Sequence, residues 1–229
     1  MNPHGGIDDS RSGDVPPARA AVWITLAAVL GFCIRAARAW YMPLLGDEVG
    51  TWIYIGRDFR YILTHFVDPW LTMAPYIAGT KVVGELAGDH PFVLRLPVVV
   101  AGTLAIPFIA GVVLRLGGKW RTACFAVWLA AVNPFLVMYG GTLRSYSFVI
   151  LFTIAALYFL LAWFEDPRWR TGWAFAAMGA MALLSHFCTL YFLVYLGLVF
   201  CWRTFARSGW RGGRPRCGRP VRSLCRRYS

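Results

Sequence analysis

The chain has 229 residues, 58% of them hydrophobic and only 15% charged, with a mean hydropathy of +0.54; a soluble domain carries about 45–50% apolar and about 25% charged residues. The excess lies in long runs almost free of charge, which read as membrane spans, and all eleven acidic residues lie outside them, as the cost of an ionised carboxylate in hydrocarbon requires. The net charge is +12, but nine arginines fall between Arg203 and Arg227 with no acid among them, and without these it is +3; a basic tail after an apolar run is a cytoplasmic signal facing anionic lipid, and nucleic acid is not the expected partner.

Residues 1–19 are polar and rich in Gly, Pro and Asp, the composition of a disordered segment. The first apolar run, Ala21–Ile34, is either a signal peptide, with Ala37-Arg38-Ala39 as a small-x-small cleavage site, or a first transmembrane helix; the spans that follow and the weakly basic flank favour the helix. Residues 40–90 form a long mixed loop. Within it Trp52, Ile55, Phe59, Ile62 and Phe66 recur at helical spacing, with Arg57, Asp58 and Arg60 on another face, a pattern that predicts a helix lying in the membrane interface.

A second span is expected over Pro91–Leu114, closed by the basic turn Arg115, Lys119 and Arg121. A third follows over Ala123–Tyr139, with Asn133-Pro134 near its far end, then a short loop 140–145 containing Arg144. The fourth, Tyr146–Phe164, has 19 residues and no charge. Thr171–Trp202 has 32 residues; as one helix it would be about 48 Å long, against a hydrocarbon core of about 30 Å, while two spans would be short. The positive-inside rule decides for two, split at Ser185-His186, because only then do the basic turns and the arginine tail share the cytoplasmic side.

The expectation is an all-α polytopic membrane protein with about six spans and both termini cytoplasmic: a membrane region over 20–203 and a basic, disordered tail over 204–229. Arg35 and Arg38 sit at the outer end of span one, where that rule does not put them. The six cysteines, four of them in apolar segments and none in a Cys-x-x-Cys pair, are expected as buried thiols, not a disulfide framework or zinc site.

The unusual polar residues gather in the three loops expected outside. Asp47-Glu48 can deprotonate a hydroxyl or hold a divalent cation, or can be a solvated turn. Arg144, in Leu143-Arg144-Ser145-Tyr146, can bind phosphate bidentately or snorkel to headgroups. His186 is a ligand, a proton shuttle or a polar turn residue; Asp68, in Val67-Asp68-Pro69-Trp70, caps a helix or joins the acidic site. Lys81 and Arg95 are further candidates for phosphate, Arg95 alternatively an anchor for span two. No trustworthy metal ligand set is visible, and a divalent cation stays open.

The order of four segments resembles the N-terminal half of the GT-C membrane glycosyltransferases, above all bacterial relatives of the dolichyl-phosphate-mannose protein mannosyltransferases. Gly46-Asp47-Glu48 resembles the family's Asp-Glu motif in the first external loop, and His90-Pro91-Phe92-Val93-Leu94-Arg95-Leu96-Pro97 its Arg-Leu-Pro opening of the next span. Asn133-Pro134-Phe135 through Arg144-Ser145-Tyr146 is similar to its Pro-x-x-x-x-Tyr … Arg-x-Tyr segment, and Ser185-His186-Phe187 to its Thr-His-Tyr turn.

The resemblance implies sugar transfer from a polyprenyl-phosphate donor to an acceptor hydroxyl at the external face of the cell membrane. It makes Asp47 the general base and Glu48 a residue tuning it, makes Arg144 a candidate for the lipid phosphate with His186 in the same cavity, and counts Tyr146 and Asp68 among the substrate-binding residues. The first loop departs from the family's Pro-rich stretch, which bears on Asp68. Family members are about twice this length, so the chain is expected to be a truncated or frame-shifted reading frame. The alternative is a non-catalytic transporter-like or lipid-handling protein, which charges within the spans would favour.

Overall fold

The computed structural model describes residues 17–44, 46–64 and 73–209. Among these the chain is all-helical: α1 (Pro17–Tyr41), α2 (Gly46–Ile55), α3 (Phe59–Thr64), α4 (Ala74–Ala87), α5 (Pro91–Arg115), α6 (Trp120–Val132), α7 (Pro134–Gly140), α8 (Tyr146–Glu165), α9 (Trp169–Ser185) and α10 (Thr189–Gly209). The expected disordered N-terminus lies outside the described residues up to residue 16, and α1 starts at Pro17. Phe66, Asp68, Cys217, Cys225 and the tail from residue 210 also lie outside them.

The six apolar segments are helical where the sequence puts them. Ala18–Tyr41, Pro91–Arg115 and Tyr146–Glu165 are long and apolar enough to cross a membrane singly; α6 and α7 count as a fourth if their 56° bend belongs to one span. The bend falls at Asn133-Pro134. Pro134 has no N–H to continue the ladder, and the Asn133 side chain caps the new helix by accepting from the N–H groups of Phe135 (3.0 Å) and Leu136 (3.1 Å). The 171–202 run is two helices, α9 ending at Ser185 with His186 as its C-cap. α1 runs unbroken through Ala37-Arg38-Ala39 and packs on α5 and α6, as a first membrane helix does.

The described residues up to Leu190 form one compact unit and those from Tyr191 another, the latter holding all but the first two residues of α10. In the first unit α5 is the central helix, packed against α1, α4, α6 and α8, while α8 also packs on α9. One core cluster joins Ile55, Ile62, Tyr76, Ile77, Leu94, Val98 and Leu143. A second joins α1, α5 and α6 through small residues, Ala27, Ala110, Ala123 and Ala131, with Ile106 and Val127; such residues let helices approach closely in lipid.

Three expectations need correction. The interfacial helix is two helices, because the chain turns at Gly56, where the Gly56 and Arg57 N–H groups donate back to the carbonyls of Trp52 (3.2 Å) and Tyr54 (3.1 Å). Its Ile55 and Ile62 pack into the protein core, while Trp52 stays exposed. The spans are not free of charge: α1 outruns its hydrophobic stretch and carries Arg35 inside the fold, and α5 buries Arg95, which lies within the expected second span. Of the cysteines described, expected as buried thiols, Cys33, Cys188 and Cys201 are exposed and Cys124 is half-buried.

Candidate functional site

Asp47 and Glu48 stand in the first turn of α2, where carboxylates suit the positive end of the helix dipole. Adjacent helical positions point about 100° apart, and here that separates two environments. The Asp47 side chain is 82% exposed and the Glu48 side chain 3%.

Glu48 faces inward onto Arg95, itself fully buried one turn into α5. All five N–H groups of the Arg95 guanidinium have acceptors. Nε donates to Glu48 Oε1 (3.1 Å) and Nη2 to Glu48 Oε2 (2.7 Å) and the Pro43 carbonyl (2.9 Å); Nη1 donates to the carbonyls of Ala39 (2.9 Å) and Met42 (2.5 Å). Glu48 Oε1 also accepts the Leu143 N–H. This bidentate pair therefore ties together the end of α1, the start of α2, the start of α5 and the 141–145 loop. Arg95 has no donor left for a phosphate.

Asp47 faces outward into a cavity of about 390 Å³ lined by Gly46, Asp47, Gly50, Thr51, Tyr54, Met73, Ile77, Arg144 and His186, a volume typical of small-molecule sites. Three of the residues singled out in the sequence, from three separate segments, thus share one cavity. Arg144 is held loosely. Its Nη2 lies 3.6 Å from Asp47 Oδ2, its Nη1 donates to the Asp47 carbonyl at 3.4 Å, and its Nε is buried without a partner. Contacts this long leave the guanidinium donors available to a ligand.

Aromatic rings support this edge of the cavity. Tyr146 lies edge-on to Tyr139 (centroids 4.6 Å apart) and stacks on His186 (6.0 Å, 24°), with the Arg144 guanidinium carbon 5.9 Å from the Tyr146 ring centre. His186 Nδ1 accepts the Cys188 N–H at 3.2 Å. In the neutral ring that puts the proton on Nε2, making the free nitrogen a donor.

Tyr76 and Leu143 were not singled out in the sequence. Tyr76, on α4, is fully buried against Phe148. Burial, with the Glu48 charge added, holds its phenol well above the usual value, against the lowering pull of Arg144, Thr80 and Arg95. Nothing in the local sequence marks it, since a buried tyrosine is usually core. Lys81 lies elsewhere. It pairs with Glu85 (3.0 Å), donates to the Ile55 carbonyl (3.3 Å) and lines a second, mostly apolar cavity of about 360 Å³ with Trp52, Ile53 and Leu94. Among the described residues no group of three or more His, Cys, Asp or Glu side chains converges as a metal-ligand set.

No match was found among curated proteins or among solved structures. A family model described as dolichyl-phosphate-mannose-protein mannosyltransferase matches residues 72–211, more than half of the chain. The match takes in Arg95, Arg144, Tyr146 and His186 and starts after Asp47 and Glu48. The chain belongs to the dolichyl-phosphate-mannose-protein mannosyltransferase family, membrane glycosyltransferases of the GT-C type.

Proposed function

We propose that this protein transfers a sugar from a polyprenyl-phosphate donor to an acceptor hydroxyl at the external membrane face, with Asp47 as general base. The observation carrying this reading is the shared cavity. An exposed carboxylate, a loosely held guanidinium and an imidazole donor line one volume at the ends of membrane helices. The Asp47 carboxylate takes the acceptor's proton as the oxygen attacks the anomeric carbon. The bond from that carbon to the phosphate oxygen breaks, and polyprenyl phosphate leaves with the electron pair. Arg144 meets the charge on the departing phosphate, and the His186 Nε2–H adds a donor. Glu48, buried and paired, serves as the positioning residue for Asp47 and Arg144. Asp68 has no part in this reading.

The test is transfer from polyprenyl-phosphate sugar in proteoliposomes. Asp47→Asn should lower the rate by at least ~100-fold, the contribution of a positioned general base. Its thermal midpoint should hold, because the exposed, long ion pair contributes only about 0–1 kcal/mol. An undiminished rate removes Asp47 from the base role.

A further inference from the structure

Arg35 is a buried cation within a membrane helix, 1% exposed, and no carboxylate pairs with it among the described residues. Such a residue calls for a specific reason. Its Nη1 donates to the carbonyls of Gly31 (2.9 Å) and Ala131 (3.2 Å), and its Nη2 to that of Ala130 (3.1 Å). Ala130 and Ala131 lie in the last turn of α6, and the sequence itself frees their carbonyls. The ordinary partner of Ala130 would be the N–H of residue 134, which is proline. That of Ala131 would be the Phe135 N–H, which donates instead to the Asn133 side chain.

The space around Arg35 is kept open for it. A methyl group added at Gly140 would lie 2.6 Å from the arginine Cδ and Nε, one at Gly31 2.8 Å from Nη1, and one at Gly102 3.2 Å from Nε. Arg38, nearly a turn further along α1, donates from Nε to the Met138 carbonyl of α7 at 3.4 Å. The two arginines therefore grip the broken helix on both sides of its bend. Immediately beyond α7 come Leu143, whose N–H donates to Glu48, and Arg144 at the cavity.

We propose that Arg35 is a positioning residue: it caps the carbonyls released at Asn133-Pro134, fixes the α6–α7 bend and so sets the loop that presents Arg144. The last step rests on the phosphate-binding role proposed above for Arg144; the capping does not.

A double-mutant cycle in detergent tests the capping. Arg35→Met should lower the thermal midpoint by roughly 5–10 °C, as expected for two buried carbonyls left bare. In an Asn133→Ala/Pro134→Ala background, where residues 134 and 135 can bond those carbonyls, the same change should cost less than half as much. An equal cost in both backgrounds overturns the capping. Arg35→Lys decides the point should the background variant not fold. A cap predicts that lysine retains at least half of the stability lost by methionine, and methionine equal to or better than lysine overturns it.

Polyprenyl-phosphate binding tests the positioning. Arg35→Met should weaken it at least tenfold with Arg144 intact, and Arg35→Lys should restore part of it. Unchanged binding overturns the link to Arg144. Absent binding by the unmodified protein refutes the proposed function and with it that link, while the stability cycle still decides the cap.

Discussion

Arg95→Met removes the most heavily bonded side chain at the site. Arg95 and Glu48 are 1% and 3% exposed, so water cannot replace what is lost. The variant leaves the Glu48 carboxylate buried with its charge uncompensated by Arg95, and strips donors from the carbonyls of Ala39, Met42 and Pro43. Removing one partner of such a pair costs about 3–5 kcal/mol. With a chain this size losing about 2–4 °C per kcal/mol, the midpoint should fall by roughly 6–20 °C. Size-exclusion chromatography of detergent-solubilised protein after heating measures it. Glu48→Leu combined with Arg95→Met should recover part of the loss, because the buried carboxylate goes with its partner while the three carbonyls stay bare. A loss below about 1 kcal/mol in the single variant, or a double variant no better than the single, would show that the pair does not organise this end of the fold.

Arg144→Gln should raise the KM for the polyprenyl-phosphate donor by roughly 10–100-fold, the loss of charge-assisted hydrogen bonds to phosphate, with a steady midpoint; a larger effect on stability than on KM would contradict its role. His186→Gln keeps a donor near the Nε2 position and should retain more activity than His186→Asn, whose amide reaches only as far as Nδ1; the reverse order in initial rates would argue against an Nε2–H donor. Tyr76→Phe concerns pH. The folded phenol titrates above the unfolded one, so its contribution is complete below about pH 10 and is lost as pH rises through the higher folded value. The phenylalanine variant should lack that alkaline loss in midpoints measured between pH 8 and 11, and an identical alkaline arm would place the loss elsewhere.

The helices and the break at Ser185-His186 were legible because both are local, whereas the third span was expected unbroken over Ala123–Tyr139 and its 56° bend was not. Hydrophobic length locates a span, and Asn133-Pro134 and Ser185-His186 interrupt it where a missing N–H or a polar turn demands. That Asp47, Arg144 and His186 share a cavity was implied by the family resemblance, while their loops alone pointed only to a common membrane face. The partner of Glu48 was not legible, because Arg95 lies 47 residues away and its other acceptors are backbone carbonyls, which every residue carries. The interfacial pattern misled for a similar reason. Ile55 and Ile62 share a spacing that fits lipid or protein equally well, and only the packing of α4 and α5 decides that they face Tyr76 and Leu94.

The two buried arginines answer the same local event. Pro43 cannot donate to the Ala39 carbonyl at the end of α1, just as Pro134 cannot donate to the Ala130 carbonyl at the end of α6, and in each case a guanidinium from another helix takes the freed oxygen. A cation there also suits the negative end of the helix dipole. The sites differ in what completes them. Around Arg95 a carboxylate is recruited, and it fixes the turn of α2 that leaves Asp47 outside. Arg35 donates only to backbone carbonyls among the described residues, so the charge holds the bend without an acidic partner. Arginines at the end of a span bear on the positive-inside pattern only if they are counted as surface charge. Arg35 is consumed in closing a broken helix, and Arg38 reaches across to the same helix beyond the break. Arg35 therefore carries no information about which side of the membrane this end of α1 faces.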